Sequence, residues 1–232
     1  SLTTENRIAI IYSLGDIVNG DGDEYTIGTK NIVESIKKAK ENRRVKALVM
    51  RVNSPGGSPL TSDIIWREIE RAKKEKPFIV SMGDVAASGG YYISCNAHKI
   101  VSEVNTLAGS IGVYGIIPNA QKFFNNKIGV SFDRVETSEY SSLFSITTPL
   151  SDKQKSIFQK QVDNIYYTFV SRVADGRNMS FEEIDKIAEG RIWSGLDAKN
   201  IGLVDTIGGL SLALQIAAEH ANISDYKIVE YP

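Results

Sequence analysis

The stretch Arg7–Leu14 reads RIAIIYSL, a short apolar run ended by Gly15. A run that is apolar at almost every position predicts a buried strand, and the Gly/Asp-rich stretch Asn19–Asp23 predicts a loop after it. From Gly28 onward Ile32, Val33, Ile36 and Ala39 recur at helical spacing, with Lys and Glu on the other side. That pattern predicts an amphipathic helix. Val45–Val52 (VKALVMRV) predicts a second strand, closed by Asn53-Ser-Pro-Gly-Gly57. A helix carrying Ile65, Ile69 and Ala72 on one face follows, then a strand over Pro77–Met82, a glycine-bounded turn, a helix over Ala87–Asn96 and a strand over Lys99–Val104.

Strands that alternate with helices at this spacing pair in parallel through right-handed crossovers, because a hairpin cannot reach a parallel neighbour. The fold class is therefore α/β. In the second half, Ser151-Asp-Lys-Gln154 opens a long helix as a capping box, with an apolar stripe of Phe158, Val162, Ile165, Phe169 and Val173. Ser180-Phe-Glu-Glu183 is a second capping box, Ser211–Ala221 a last helix and Tyr226–Glu230 an edge strand. No repeat or linker divides the pattern, so residues 1–232 are expected to form one domain.

Composition narrows the function. The 232 residues carry 27 Lys+Arg against 28 Asp+Glu, with no dense basic block, which argues against a nucleic-acid partner. A single cysteine forms no internal disulfide, and neither Cys-x-x-Cys nor His-x-x-x-His spacing occurs, so no metal or other cofactor is expected. No apolar run approaches the ~18–20 residues needed to span a bilayer. The first residue is Ser1, without an initiator methionine or a signal-peptide pattern, which suggests a processed or excised fragment, soluble by itself.

Three glycine-flanked turns remain: Asn53-Ser-Pro-Gly-Gly57, Ala86-Ala-Ser-Gly-Gly90 and Ala108-Gly-Ser-Ile-Gly112. Each adjoins a predicted strand, so all three can lie along the rim where α/β sheets place ligands. Ser88 sits among small residues just after a strand, at a helix start that directs N–H groups and positive dipole toward it. That suits a nucleophile whose neighbouring Gly89 N–H holds an oxyanion, with a second donor from Gly56 or Gly57. Taken alone, each motif is equally well a packing or turn element; the combination points to chemistry.

In order along the chain, VNSPGGS (Val52–Ser58), SMGDVAASGGYYIS (Ser81–Ser94), NTLAGSIGVYG (Asn105–Gly115) and GRIWSGLDAKNIGLVDTIGG (Gly190–Gly209) closely resemble the signal peptide peptidase A family. The resemblance runs from about Arg7 to Ala221. It implies a Clp-protease/crotonase-like fold of repeated β-β-α and βαβ units with a C-terminal helical segment. It also implies a bacterial membrane-associated serine peptidase that degrades cleaved signal peptides with a Ser–Lys dyad, on the outer face of the cytoplasmic membrane, as a ring- or dome-shaped homo-oligomer. By motif position Ser88 is the nucleophile, Gly56, Gly57 and Gly89 form the oxyanion hole, and Ser110 orients the lysine.

A serine hydroxyl needs a base, either His or a lysine whose pKa burial has lowered. Only His98 and His220 are present. The first falls at the start of a strand beyond the Ser88 helix, and a C-terminal helix position explains the second, which leaves lysine by elimination. In short family members that lysine lies in a segment like Thr137–Ile146, yet this stretch contains none and has Ser141 at the corresponding place. Long family members are tandem duplications whose N-terminal half carries the lysine. The chain resembles their serine-bearing C-terminal half, so a lysine-bearing half of the parent chain is the expected partner. Lys122, Lys127, Lys153 and Lys155 read as solvated charges, and Lys99 opens a strand that could point to the rim. Tyr91, Tyr92, Leu143 and Phe144 are candidates for contact with an apolar substrate, and Trp66 and Trp193 are packing or interface residues. Two rivals share the fold: a crotonase-like acyl-CoA enzyme with Asp84 as base, and a non-catalytic assembly domain whose glycines serve packing.

Overall fold

The computed structural model describes residues 4–138, 140–141 and 143–231. Ser1, and Glu139 and Ser142 of the segment expected to hold a lysine, lie outside the described residues. The chain divides into two compact units. One runs up to Gly112 and resumes at Thr168, and the other is Val113–Tyr167.

The larger unit is built from β1 (Arg7–Leu14), a small parallel pair β2 (Asp16–Ile17) and β3 (Thr26–Ile27), helix α1 (Thr29–Glu41), β4 (Val45–Ser54), α2 (Pro59–Lys73), β5 (Phe78–Ala87), α3 (Gly89–Tyr92), β6 (Lys99–Ser102) and β7 (Leu107–Gly109). The main sheet runs β10-β1-β4-β5-β6-β9, with its strands parallel. Its outer members come from the C-terminal part of the chain: β9 (Thr206–Ile207) and β10 (Lys227–Tyr231). Strand β8 (Ile192–Ser194) pairs antiparallel with β7. Successive strand side chains alternate between faces. Ile8, Ile10, Ala47, Val49, Ile79 and Val101 meet Ala213, Leu214, Ala217 and Ala218 of helix α8 (Leu210–His220). The alternate positions Ala9, Ile11, Leu48, Met50 and Val80 are fully buried too. Helices α1 and α2 pack on each other and on β1, β4 and β5, burying Ile32, Ile36, Ala39, Ile65, Ile69 and Ala72.

The helix expected over Ala87–Asn96 is only α3. Strand β5 continues to Ala87, and beyond Tyr92 local side chains take over the backbone groups. Ser94 Oγ donates to the Gly90 carbonyl at 2.7 Å, and the Asn96 amide reaches Trp66 and Glu70 on α2. The strand expected to Val104 ends at Ser102, because Thr106 Oγ1 accepts the Glu103 N–H at 3.1 Å and folds the chain into a turn.

Strand β5 changes partners along its length. Ile79–Ser81 pair with Lys99–Val101 of β6, whereas Val85–Ala87 pair with Leu107–Gly109 of β7. On its other side the register with β4 slips: Val52 pairs with Met82, yet Ser54 pairs with Ala86. The ladder bonds lost at this bulge are replaced by side chains. Asn53 Oδ1 accepts the Val85 N–H at 2.9 Å, and Thr106 Oγ1 donates to the Gly83 carbonyl at 2.7 Å. Gly83 leaves room for this, since a Cβ there would lie 3.1 Å from Asn53 Cβ.

The C-terminal part closes the larger unit. Helix α6 (Phe181–Ile187) starts with the expected capping box of Ser180 and Glu183, and α7 (Gly195–Asn200) is capped by Ser194. Arg177 donates to Asp205 Oδ2 at 3.0 Å and to the Gly202 carbonyl at 2.9 Å, and Asp205 Oδ2 also accepts the Ile100 N–H at 2.8 Å. Burial alone would raise the Asp205 carboxyl, but Arg177, the Ile100 N–H and Lys99 together hold it below its ordinary value. Helix α5 (Asp152–Arg177) opens with the expected Ser151/Gln154 capping box, and its buried apolar residues Phe169, Val170, Val173 and Ala174 belong to the larger unit. In the smaller unit, α4 (Gln121–Phe123) runs into a π-helical turn, Phe124–Ile128, closed by Gly129 at φ +74°. Phe124 stands edge-on to Phe123 and Phe132, with ring centroids 5.7 and 5.2 Å away.

The two histidines meet at the N-terminal end of β5, with ring centroids 6.3 Å apart. His98 Nδ1 accepts the Phe78 N–H at 3.1 Å. Burial, then Lys73 and His220, lower its pKa below the ordinary 6.5. The folded protein therefore binds fewer protons here than the unfolded chain, so this contribution is complete above about pH 6.5 and is lost as pH falls below that value through the lowered pKa of the folded state. The urea midpoint should accordingly drop between pH 7.5 and pH 5. His98→Asn keeps an acceptor for Phe78 without the titration and should flatten that part of the profile; an equally steep profile in the variant would exclude His98 as the source.

Candidate active site

Because β4, β5 and β7 are parallel neighbours, the residues that follow them emerge at one rim. Ser88 follows β5 with φ +50° and ψ −120°, outside the regions that L-residues favour. Such a conformation costs about 1–3 kcal/mol and persists only where neighbours over-determine it. Here the Ser88 N–H donates to the Gly109 carbonyl at 2.9 Å, and its own carbonyl accepts the Tyr92 N–H at 2.9 Å. Ser88 is half-buried, whereas Ala87 and Gly89 on either side are buried. A serine held at a strained strand-to-helix turn is the arrangement that presents a nucleophilic hydroxyl at the end of a sheet.

Ser110 follows β7 and has the same backbone sign, φ +48°. Its N–H donates to the Arg191 carbonyl at 2.8 Å, and its Oγ lies 3.5 Å from the Gly190 carbonyl. Since Ala87 pairs with Gly109, Ser88 and Ser110 are the next cross-strand neighbours, on strands spaced about 4.8 Å apart.

The third turn reaches the same place through its backbone. A Cβ on Gly56, at φ +105°, would stand 2.5 Å from Gly89 N and 2.8 Å from Ser88 Cβ. Only glycine permits that approach. The peptide groups of this turn are nearly all engaged. Gly56 N–H donates to Ser54 Oγ at 3.1 Å, the Gly56 carbonyl accepts the Ile17 N–H at 2.8 Å, and the Ser58 N–H donates to the Ile17 carbonyl at 2.7 Å. Among the described residues, the N–H groups of Gly57 and Gly89 make no hydrogen bond. In a trans peptide the N–H points opposite to the carbonyl, so Gly57 N–H is aimed away from Ile17.

No basic side chain hydrogen-bonds to Ser88 among the described residues. His98 and Lys99 belong to the other end of β5, where Phe78 and Ile79 lie. Ten residues of strand separate that end from Ser88, about 30 Å at 3.3 Å per residue. Lys99 therefore does not point to the rim; it pairs with Asp205 at 3.5 Å. Asp84 is exposed four strand residues before Ser88, about 13 Å away. In the smaller unit Lys122 and Lys127 are exposed, Lys153 lies 5.5 Å from the Tyr140 ring, and Lys155 pairs with Asp152 at 3.0 Å. Ser141 Oγ donates to the Ser138 carbonyl at 2.8 Å.

Tyr91 corrects one expectation. It is fully buried and donates its hydroxyl to the Leu203 carbonyl at 2.7 Å, so it is a core residue and unavailable to a substrate. Burial raises its pKa, and burial pushes the adjacent Cys95 thiol up to about 12, leaving it inert. Tyr92 is also buried, hydrogen-bonded to Asp63 at 2.7 Å and stacked at 4.8 Å on Phe169. Leu143 and Phe144 lie in the smaller unit, where Phe144 is 87% exposed and edge-on to Phe158. Trp66 packs under the Arg172 guanidinium at 3.8 Å, and Trp193 donates to the Ile187 carbonyl at 3.0 Å. Sequence reasoning missed Ile17 and Ser54, the two residues that clamp the Gly56–Gly57 turn. A serine two positions before a glycine in a Pro-containing turn was the available signal for Ser54.

The family model for peptidase family S49 matches residues 70–224. The chain belongs to this peptidase family, which places it in the serine-protease class. It is 41% identical over 218 residues to Protease 4 of Haemophilus influenzae, covering 94% of this chain and 35% of that protein. It is 39% identical to the chloroplastic serine protease SPPA of Arabidopsis thaliana, covering 94% of this chain and 33% of that protein. To the putative signal peptide peptidase SppA of Enterococcus faecium it is 34% identical, over 87% of this chain and 59% of the relative. The chain thus spans about a third of the length of the first two relatives. A ClpP1 mutant from Listeria monocytogenes shares the fold at TM-score 0.56 and 17% identity, covering 88% of this chain and 94% of that one.

Tyr91→Phe should cost about 1–2 kcal/mol of stability, the loss of a buried hydrogen bond that leaves the Leu203 carbonyl unpaired. Melting curves, and steady-state kinetics of the chain combined with its lysine-bearing half, check this together: stability falls while KM for an apolar peptide stays within twofold. A large change in KM at unchanged stability would return Tyr91 to the substrate site.

Proposed function

We propose that this chain is the serine-bearing catalytic domain of a signal peptide peptidase A, and that its base is a lysine supplied by another domain. The observation that carries the proposal is the close approach of Gly56 to Gly89 N and to the strained Ser88, in a turn where the N–H groups of Gly57 and Gly89 are left without hydrogen bonds. Ser88 Oγ attacks the scissile carbonyl as a neutral lysine amine takes its proton. The developing oxyanion lies between the Gly57 and Gly89 N–H groups, donors already oriented before the reaction. Collapse of the tetrahedral intermediate breaks the C–N bond, and the lysine ammonium returns the proton to the leaving amine. Water then hydrolyses the acyl-enzyme with the same lysine as base. Ser110, beside Ser88 across β5 and β7, holds the lysine in line.

The absence of lysine from Thr137–Ile146 supports a base from outside the chain, as does the short span of the chain within Protease 4. The name of the Enterococcus relative supports signal peptides as substrates. Such substrates are apolar and released within the membrane, so the reading places the work at the outer face of the bacterial cytoplasmic membrane. Among the described residues no helix is long and apolar enough to cross a bilayer, so attachment is assigned to another part of the protein. The reading also includes a homo-oligomer. A crotonase-like reaction is disfavoured by the position of Asp84, exposed and about 13 Å along β5.

Two measurements test the proposal. A fluorophosphonate should label Ser88 in the chain combined with its lysine-bearing half, and Ser88→Ala should remove both label and peptidase activity, at least about a thousandfold. The chain alone should show little or no cleavage of an apolar peptide. Full activity without a partner would place the base within this chain.

A further inference from the structure

Gly57 N–H serves an oxyanion only if its peptide plane is fixed, and the structure shows what fixes it. On one side Ile17 grips the turn through both its N–H and its carbonyl, at 2.8 and 2.7 Å. That grip is main chain to main chain and holds Gly56 C=O and Ser58 N–H. The remaining polar group of the turn, Gly56 N–H, is taken by a side chain, Ser54 Oγ, at 3.1 Å. Ser54 is fully buried at the end of β4, paired with Ala86 of β5. Its carbonyl and Cβ lie against Gly90, where an added Cβ would come within 2.5 and 3.2 Å of them. Ser54 thus stands between the oxyanion turn and α3, the helix that carries Gly89.

We propose that Ser54 is a positioning residue of the oxyanion hole. By accepting the Gly56 N–H it withholds that group from the substrate and fixes the Pro55–Gly56 peptide, while Ile17 N–H holds the next peptide through the Gly56 carbonyl; with both planes set, Gly56 does not turn and Gly57 N–H is the donor, at a set distance from Gly89 N–H. The proposal rests on the assignment of Ser88 as nucleophile. Without the Ser54 hydroxyl, Gly56 N–H is a buried donor without a partner, and the turn rotates to satisfy it. A displaced donor loses much of its effect on the transition state, because a shift of about 1 Å costs up to roughly a hundredfold in rate.

The test uses the chain combined with its lysine-bearing half. Ser54→Ala should lower kcat about ten- to a hundredfold with KM within twofold. A peptide aldehyde forms a tetrahedral adduct that carries the oxyanion, so its inhibition constant should rise by the same factor as kcat falls. Ser54→Thr keeps the hydroxyl and should recover most of both. A purely structural role predicts something different: a lowered melting temperature in Ser54→Ala, with aldehyde affinity and KM changing together. That result overturns the proposal, as does wild-type kcat in Ser54→Ala. Ser88→Ala is the control. Activity that survives it overturns the nucleophile assignment and this proposal together, whereas activity lost with Ser88→Ala but kept in Ser54→Ala overturns this proposal alone.

Discussion

Strand β5 leaves one neighbour and joins another part-way along, and the site depends on that exchange. Its first half is an ordinary inner strand, with β4 and β6 on either side. Across Met82–Ala86 the register with β4 slips, and the strand continues beside β7. Asn53 and Thr106 take the hydrogen bonds that the ladder gives up. Had β5 stayed with β6, Ser88 N–H would not meet the Gly109 carbonyl, and the strained turn would lack its anchor. A fork in a sheet is ordinarily a weakness in the hydrogen-bond ladder; here it sets three strand ends, those of β4, β5 and β7, around one point.

Glycine is what allows those ends to converge. Gly56 lies against Gly89, Gly57 against Ile17 and Gly90 against Ser54, each so closely that a methyl group would overlap backbone atoms. In each case main-chain atoms take up the room released, and the one side chain that helps to hold the turn is the buried Ser54. The strain at Ser88 is sustained by the same contacts, since its N–H and carbonyl are both engaged.

Much of this was legible in the sequence. Apolar runs placed β1 and β4 close to their observed bounds and located the start of β5, helical spacing identified α1 and α2, and both capping boxes are formed. The glycine motifs identified the three turns. What the sequence hid has physical reasons. The α3 region is rich in residues compatible with a helix, but Ser94 and Asn96 bond elsewhere and end it after one turn. Tyr91, three residues after Ser88, suggested substrate contact, because a pattern of types does not reveal that its hydroxyl has a carbonyl partner in the distant segment at Leu203. The role of Ile17 was invisible for the same reason: it acts through its backbone, and any residue type at that position offers the same N–H and C=O.

A cradle made from main chain also constrains how the protein can diversify. Side-chain substitutions at Gly56, Gly57, Gly89 or Gly90 can break the arrangement but have nothing there to adjust, because the groups that would face the reacting carbonyl are common to every residue type. Under the proposed assignment the reaction is in this sense fixed by the path of the chain. Differences in what related domains cut must then be written where side chains are free to vary, away from this turn, and a library built to change cleavage preference should leave these four glycines untouched.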